Sequence, residues 1–169
     1  MRTLIVRFFA AEDGAPIDGS ASLYAGRWRT TVAAKQKPPR PAPEVQFEVE
    51  DAAVVNEVLV TADRRFPRHI AWPKNDILQV KLEKSSELII AANHDAPRFV
   101  QVHAAGGQDV TDFVKSLGNF HIVLAGQSLP SSRVLPGPYV IDVFDATKAP
   151  IAQLNVDLVA WRTAFIEVP

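Results

Sequence analysis

The chain has 169 residues, with 18 lysines and arginines against 19 aspartates and glutamates, 13 prolines and no cysteine. This length is that of one ordinary domain or two small ones. The absence of cysteine excludes disulfide scaffolds, thiolate zinc sites and cysteine nucleophiles. A net charge of −1 argues against a general nucleic-acid binder, which needs a large excess of cations.

The apolar composition indicates a β protein. Valine and isoleucine together outnumber leucine 30 to 12. Branching at Cβ favours the pleated surface of a sheet over a helix. We therefore expect an all-β fold.

In the first half of the chain, alternation of apolar and polar residues predicts most of the strands. Residues 54–61 fit either a strand or a helix, and their β-branched residues favour the strand. Residues 35–43 contain four prolines, which lack N–H groups, and predict an extended loop outside any ladder. The polar residues 84–87 are the best candidate for a domain boundary. The predicted strands are 3–10, 20–25, 28–34, 44–50, 54–61, 66–72 and 77–83.

The second half continues in the same way, with one helix. Asp109 is a candidate N-cap, apolar residues follow at helical spacing, and Gly118 closes a short helix over 109–118. Residues 126–138 are expected to form a loop. Many short strands with one helix are typical of a sandwich. The predicted strands are 88–92, 98–104, 120–125, 139–144, 151–160 and 161–168.

Two segments of the sequence echo each other. Residues 9–17 and 144–151 each run from a strand through a polar turn to Ala-Pro-Ile and a second strand. Either shared strand–turn–strand composition or a duplicated unit would produce this similarity.

The first half also resembles a known group of folds. Residues 13–23 (Asp-Gly-Ala-Pro-Ile-Asp-Gly-Ser-Ala-Ser-Leu), 58–68 and 78–83 are similar, in order and spacing, to the opening, late and closing segments of prealbumin-like modules. That group includes carboxypeptidase regulatory domains, Cna-B repeats and transthyretin-like domains. Arg65 departs from the pattern, because the family usually has glycine before the aromatic residue. Residues 136–139 resemble the family's Pro-Gly-x-Tyr strand.

The resemblance covers about residues 1–84 and implies a Greek-key or prealbumin-like β-sandwich there. The predicted strands after the boundary indicate a second β-rich domain at 85–169, so that the chain would form two small sandwiches. One sandwich spanning 1–169 is the alternative. The resemblance also implies a non-catalytic accessory or adhesion module, although fold alone does not fix function.

Catalytic and metal-binding patterns are weak in this sequence. The four histidines lack metal-ligand spacing, and no HExxH motif occurs. Ser131 or Ser132 could join His94 in a hydrolase, but the sequence has no nucleophile elbow. We expect no enzyme, no metal and no cofactor.

The most distinctive stretch is 63–74, where four cations and two aromatic residues occur in a nearly neutral chain. Arginine and tryptophan are frequent anchors of interfaces. Period two directs Phe66, Ile70 and Trp72 to the core and leaves Arg64, Arg65 and His69 in solvent. The predicted binding residues are Arg64, Arg65, Phe66, Arg68, His69, Trp72 and Lys74.

The leading functional hypothesis is a binding or accessory module for a protein or glycan partner, and an acidic partner would suit the cationic stretch. The alternatives are a structural subunit or immunity-type protein of a larger assembly and, less favoured, a small hydrolase. We expect no nucleic acid and no membrane as partners, while edge strands offer a route to a homo-oligomer. Residues 1–10 lack signal-peptide features, which predicts a cytoplasmic protein and leaves open export by a specialised secretion system.

Overall fold

The computed structural model describes residues 2–26, 30–32, 34, 36–50, 54–92, 96–104, 121–123, 126–128 and 132–169. Over these ranges the protein is nearly all β, which confirms the predicted fold class. The helix predicted at 109–118 lies outside them. Among the described residues, no helix has the length and apolar character to cross a bilayer. The chain divides into two compact units, Met1–Lys84 and Ser85–Pro169.

The first unit is a sandwich of two sheets. One sheet has the order β4-β5-β1-β8, and the other has the order β3-β2-β6-β7. Neighbouring strands run antiparallel except β8, which is parallel to β1. The strands are β1 (Arg2–Ala10), β2 (Gly19–Ala25), β3 (Thr30–Thr31), β4 (Gln36–Lys37), β5 (Glu44–Val49), β6 (Val55–Ala62), β7 (Arg68–Ala71) and β8 (Ile77–Leu82).

The core of the first unit lies between these two sheets. Alternate residues of β1 point inward, and Leu4, Val6 and Phe8 are fully buried. They pack with the inward residues of β6, such as Val58. A Cβ at Gly19 would lie 2.5 Å from Cγ of Phe8, so this glycine makes room for the ring.

The second unit is also a sandwich. One sheet has the order β11-β10-β14-β15. In the other sheet, β12 and β13 pair successively along one side of β9, and β16 runs parallel along its other side. The strands are β9 (Ser86–Ala92), β10 (Arg98–Ala104), β11 (His121–Val123), β12 (Gln127–Ser128), β13 (Ser132–Val134), β14 (Gly137–Phe144), β15 (Pro150–Leu158) and β16 (Thr163–Val168).

The two units share most of their topology, although the fourth strand pairs with the fifth in the first unit (β4 with β5) and with the first in the second unit (β12 with β9). In each, the first strand lies between an antiparallel and a parallel neighbour, as β1 lies between β5 and β8 and β9 between β13 and β16. The opposite sheet of each follows the order third, second, sixth, seventh strand. The sequence echo does not mark this repeat, because 9–17 leaves the first strand whereas 144–151 joins the sixth strand to the seventh. The repeat is therefore visible in the strand pairing and not in that echo.

Two predicted loops contain short strands. Gln36 and Lys37 pair with β5, because the prolines begin only at Pro38 and leave both N–H groups available. Residues 126–138 hold β12 and β13, which pair with β9. The expectation of a loop was wrong there, because among the described side chains of these strands only Val134 is buried and alternation is absent.

Candidate binding surfaces

The predicted binding stretch begins in the turn between β6 and β7. Arg64 is exposed and has a left-handed backbone with φ of 52°. This conformation is uncommon for a residue with a side chain. The N–H of Arg65 donates to the carbonyl of Ala62 at 3.3 Å and closes the turn. The turn therefore holds the Arg64 side chain out in solvent.

Arg65 is buried, with 8% of its surface exposed, so the expectation that it is solvated was wrong. Its Nη1 donates to Oε2 of Glu12 at 2.7 Å and to the carbonyl of Leu82 at 3.3 Å. Lys84 Nζ lies 3.7 Å from Oε1 of the same glutamate. The hydrogen bond from Arg65 lowers the pKa of Glu12 from 4.5 to about 2, with smaller contributions from a backbone hydrogen bond and the charges of Arg65 and Lys84.

The large apolar residues of the stretch pack on the first unit or bond to its main chain. Ile70 and Trp72 pack against its core, as predicted. The main-chain N–H of Trp72 donates to the carbonyl of Asn56 at 2.8 Å. The guanidinium carbon of Arg2 lies 5.2 Å from the indole centroid of Trp72, within cation–π range. Phe66 is half-buried, and its N–H donates to the carbonyl of Glu83.

The remaining predicted residues have acidic neighbours. Arg68 Nη1 lies 4.0 Å from Oε2 of Glu83, and His69 Nδ1 contacts Oε1 of Glu57. Lys74 is exposed, and its carbonyl accepts a hydrogen bond from Arg2. The exposed cations of the stretch are therefore Arg64, Arg68 and Lys74, with carboxylates close to part of the surface.

A second exposed region, which sequence reasoning missed, follows the seventh strand of the second unit, β15, as Trp72 follows the seventh strand of the first unit, β7. Trp161 follows β15 with φ of 63° and is 47% exposed, and Phe165 on β16 is 61% exposed. Val159, at the same end of β15, is also exposed, whereas the exposed Ile151 lies at the start of that strand. A repeated dipeptide could have revealed this equivalence, because Ala-Trp occurs at the end of the seventh strand in the first unit (71–72) and just after it in the second (160–161).

The outer surface of the β10-β14-β15 sheet has a small polar network. Asp142 Oδ1 accepts a hydrogen bond from Gln153 Nε2 at 2.7 Å, and its Oδ2 lies 3.3 Å from Nε2 of His103. Within the described ranges, no group of three or more acidic or histidine side chains is suited to a metal ion. The hydrolase candidates His94 and Ser131 lie outside those ranges, and the side chain of Ser132 is not described.

Comparisons with known proteins give only distant likenesses. No protein-family model matches the chain, and no curated protein matches it. Among solved structures, the chain is similar to the minor pilin GBS52 of Streptococcus agalactiae at 10% identity, covering 99% of this chain and 94% of that chain, with a TM-score of 0.39. The TIE protein of Bacillus anthracis matches at 12% identity over 98% of this chain and 33% of that chain, with a TM-score of 0.35. The shaft pilin SpaA from Lactobacillus rhamnosus GG matches at 8% identity over 98% and 96% of the two chains, with a TM-score of 0.33.

Proposed function

We propose that this protein is a non-catalytic binding module whose first unit recognises an acidic segment of a protein or glycan through the surface of Arg64, Arg68 and Lys74. The observation that carries the proposal is the turn at Arg64. An exposed arginine occupies a left-handed backbone there, next to a second arginine that is buried and paired with Glu12. Uncommon backbone conformations of residues with side chains often mark functional positions.

In this proposal the two neighbouring arginines have different roles, since Arg65 stabilises the fold and Arg64 binds the partner. Arg65 ties three parts of the unit together through Glu12 and the carbonyl of Leu82. Arg64 is exposed, so its guanidinium could reach a carboxylate or sulfate of a partner. Such a group could accept two parallel hydrogen bonds from it.

Flanking cations would add long-range attraction. Arg68 and Lys74 are exposed at the two ends of β7 and its following connection. Exposed charges raise the rate of encounter with an acidic partner, and salt screens them over about 8 Å at physiological ionic strength. Binding should therefore weaken steadily as salt is added.

The test uses two defined acidic probes, fluorescent polyglutamate for a protein segment and fluorescent heparin for a glycan, with binding followed by anisotropy. We expect one probe to bind at low salt and the variant R64A/K74A to lose most of that binding. The control K81A removes an exposed cation from β8, outside the proposed surface, and should bind like the parent protein.

Thermal unfolding of each variant shows whether a loss of binding comes from a loss of stability. R64A/K74A should melt as the parent does, because exposed charges usually change the free energy of unfolding by less than about 0.5 kcal/mol. Equal loss of binding in R64A/K74A and K81A would show general charge attraction and contradict the proposal. Absence of binding to both probes at low salt would contradict it as well.

The repeated topology favours a second candidate, a structural subunit of a larger assembly. Two units that share most of their strand pairing occur in one chain, and such a repeated module could serve as a building block of a larger structure. In this case the protein should form assemblies larger than a dimer, or bind fixed partner chains, even at high salt, which distinguishes it from the acidic-partner hypothesis.

A further inference from the structure

We propose that β15 of the second unit pairs antiparallel with β15 of a second copy of this chain, forming a two-fold dimer. The inference is independent of the acidic-partner surface, because it concerns a different strand in a different unit. It rests on the exposed edge of β15, on the apolar residues beside it and on the pairing that its own sequence permits.

β15 is a long edge strand with little protection. It spans nine residues, or about 30 Å, and among the described strands it pairs with β14 alone, so no described strand pairs with the main-chain groups of its other edge. Natural proteins usually shorten such edges or block them with proline or lysine. β15 has its proline, Pro150, and a register shift against β14 only at its beginning, before Ala152, and it contains no lysine.

The equivalent edge of the first unit is protected. β7 has four residues, and Pro67 and Pro73 flank it closely. Trp72 covers the adjoining core. Two copies of the same topology therefore differ in this edge, which indicates that the exposure of β15 is not required by the fold.

Apolar surface accompanies the open edge of β15. Its inward residues Leu154 and Val156 pack on the core but are only partly buried. Of the six large hydrophobic residues that are well exposed in the described chain, four lie between positions 151 and 165, namely Ile151, Val159, Trp161 and Phe165. An added strand would cover more of Leu154 and Val156, and burial of apolar surface favours association.

The sequence of β15 suits pairing with itself. Asp157 is its single charged residue, so an antiparallel pair centred on Asn155 brings no like charges together. In that register Gln153 of one copy faces Asp157 of the other, and Leu154 faces Val156. Opposed polar residues can hydrogen-bond and opposed apolar residues can pack. A two-fold pair also closes on itself and does not grow into a fibre.

Sedimentation velocity of the full chain over a range of concentrations tests the proposal. We expect a concentration-dependent dimer and a dissociation constant at least about tenfold higher for N155K, because lysine opposes lysine at the centre of the pair. The matched control A71K places lysine at an exposed position of the protected edge strand β7 and should leave the dimer unchanged. Circular dichroism confirms that both variants keep the parent fold.

Cysteine substitution gives a second readout that does not depend on lysine tolerance. Because the chain has no cysteine, N155C would carry one thiol, and a pair centred there brings the two Cα atoms within disulfide range, about 4.4–6.8 Å. Mild oxidation should yield a covalent dimer of N155C and little of A71C. A parent protein that stays monomeric at its highest soluble concentration would overturn the proposal. So would a dimer that resists N155K, or one in which N155C cross-links to A71C in a mixture instead of to itself.

Discussion

The last corner of each unit, where the seventh strand passes to the eighth, is built differently in the two copies of the fold. In the first unit, the N–H of Trp72 bonds Asn56 at the start of β6, so the tryptophan stays beside its own sheet and packs on the core. In the second unit, the main-chain N–H of Trp161 donates to the carbonyl of Ser85, which precedes β9 in the opposite sheet. Trp161 is 47% exposed.

The difference has a local cause in the two connections. The longer connection after Trp72 provides Asp76 Oδ1 and the Lys74 carbonyl, each 2.8 Å from a nitrogen of Arg2. These two contacts hold the Arg2 guanidinium over the indole. The connection after β15 is shorter and reaches β16 at Thr163. Repeated topology thus fixes where the strands run, while the connections decide whether a corner is closed or open.

The largest expected effect separates the two units. Phe8 and Ile90 are both fully buried, each in the core of one unit. F8A should lower the free energy of unfolding of the first unit by about 3–5 kcal/mol and I90A that of the second by about 2–5 kcal/mol. Calorimetry should show two transitions, each sensitive to one variant. A single transition lowered by both variants would mean that the two units unfold together as one cooperative unit.

Truncation of the two tryptophans tests the contrast between the corners. W72A should destabilise the first unit by about 2 kcal/mol, because the indole is partly buried and lies under Arg2, whereas full burial would give about 3–5 kcal/mol. W161A should change stability by less than about 0.5 kcal/mol. Chemical denaturation of both variants measures the difference. Equal losses would show that the exposed indole supports the fold as much as the packed one.

The smallest effect is a pH dependence of the first unit. Because the folded-state pKa of Glu12 lies near 2 and the ordinary value is 4.5, its ionised form stabilises the folded state above pH 4.5. This contribution is lost as the pH falls from 4.5 towards 2. The parent should therefore lose more thermal stability over that window than E12Q, which carries no titrating carboxyl. Parallel pH profiles for the two proteins would contradict the assignment.

Much of the fold could be predicted because alternation is a local signal. It located β5 and β8 within a residue and β10 at its observed bounds. Strands β12 and β13 were not predicted, because two or three residues are too few to show an alternation of apolar and polar side chains. Their existence depends on the pairing with β9, which no local window of sequence contains.

The surfaces were less predictable for the same reason. Arg64 and Arg65 are neighbours of identical chemistry, but the turn exposes Arg64, whereas Arg65 is buried against Glu12, 53 residues away. The two Ala-Trp dipeptides are likewise identical in sequence, and Arg2 distinguishes them only in the folded chain. Alternation predicts which side of a strand faces inward, but distant partners decide what an exposed residue does.

The parallel pairing of first and last strands determines how each unit would respond to a pulling force. In the first unit, β1 and β8 are registered from Ile5 with Ile77 to Ala10 with Leu82. Tension applied at the two ends of the unit would slide these strands past each other along their length, so their hydrogen bonds would share the load and could not open one at a time. The same arrangement joins β9 to β16, from Glu87 with Thr163 to Ala92 with Val168. The first and last strands of each unit would therefore have to be sheared apart before the unit could extend. Tension transmitted along the chain would load one such strand pair in each of the two units.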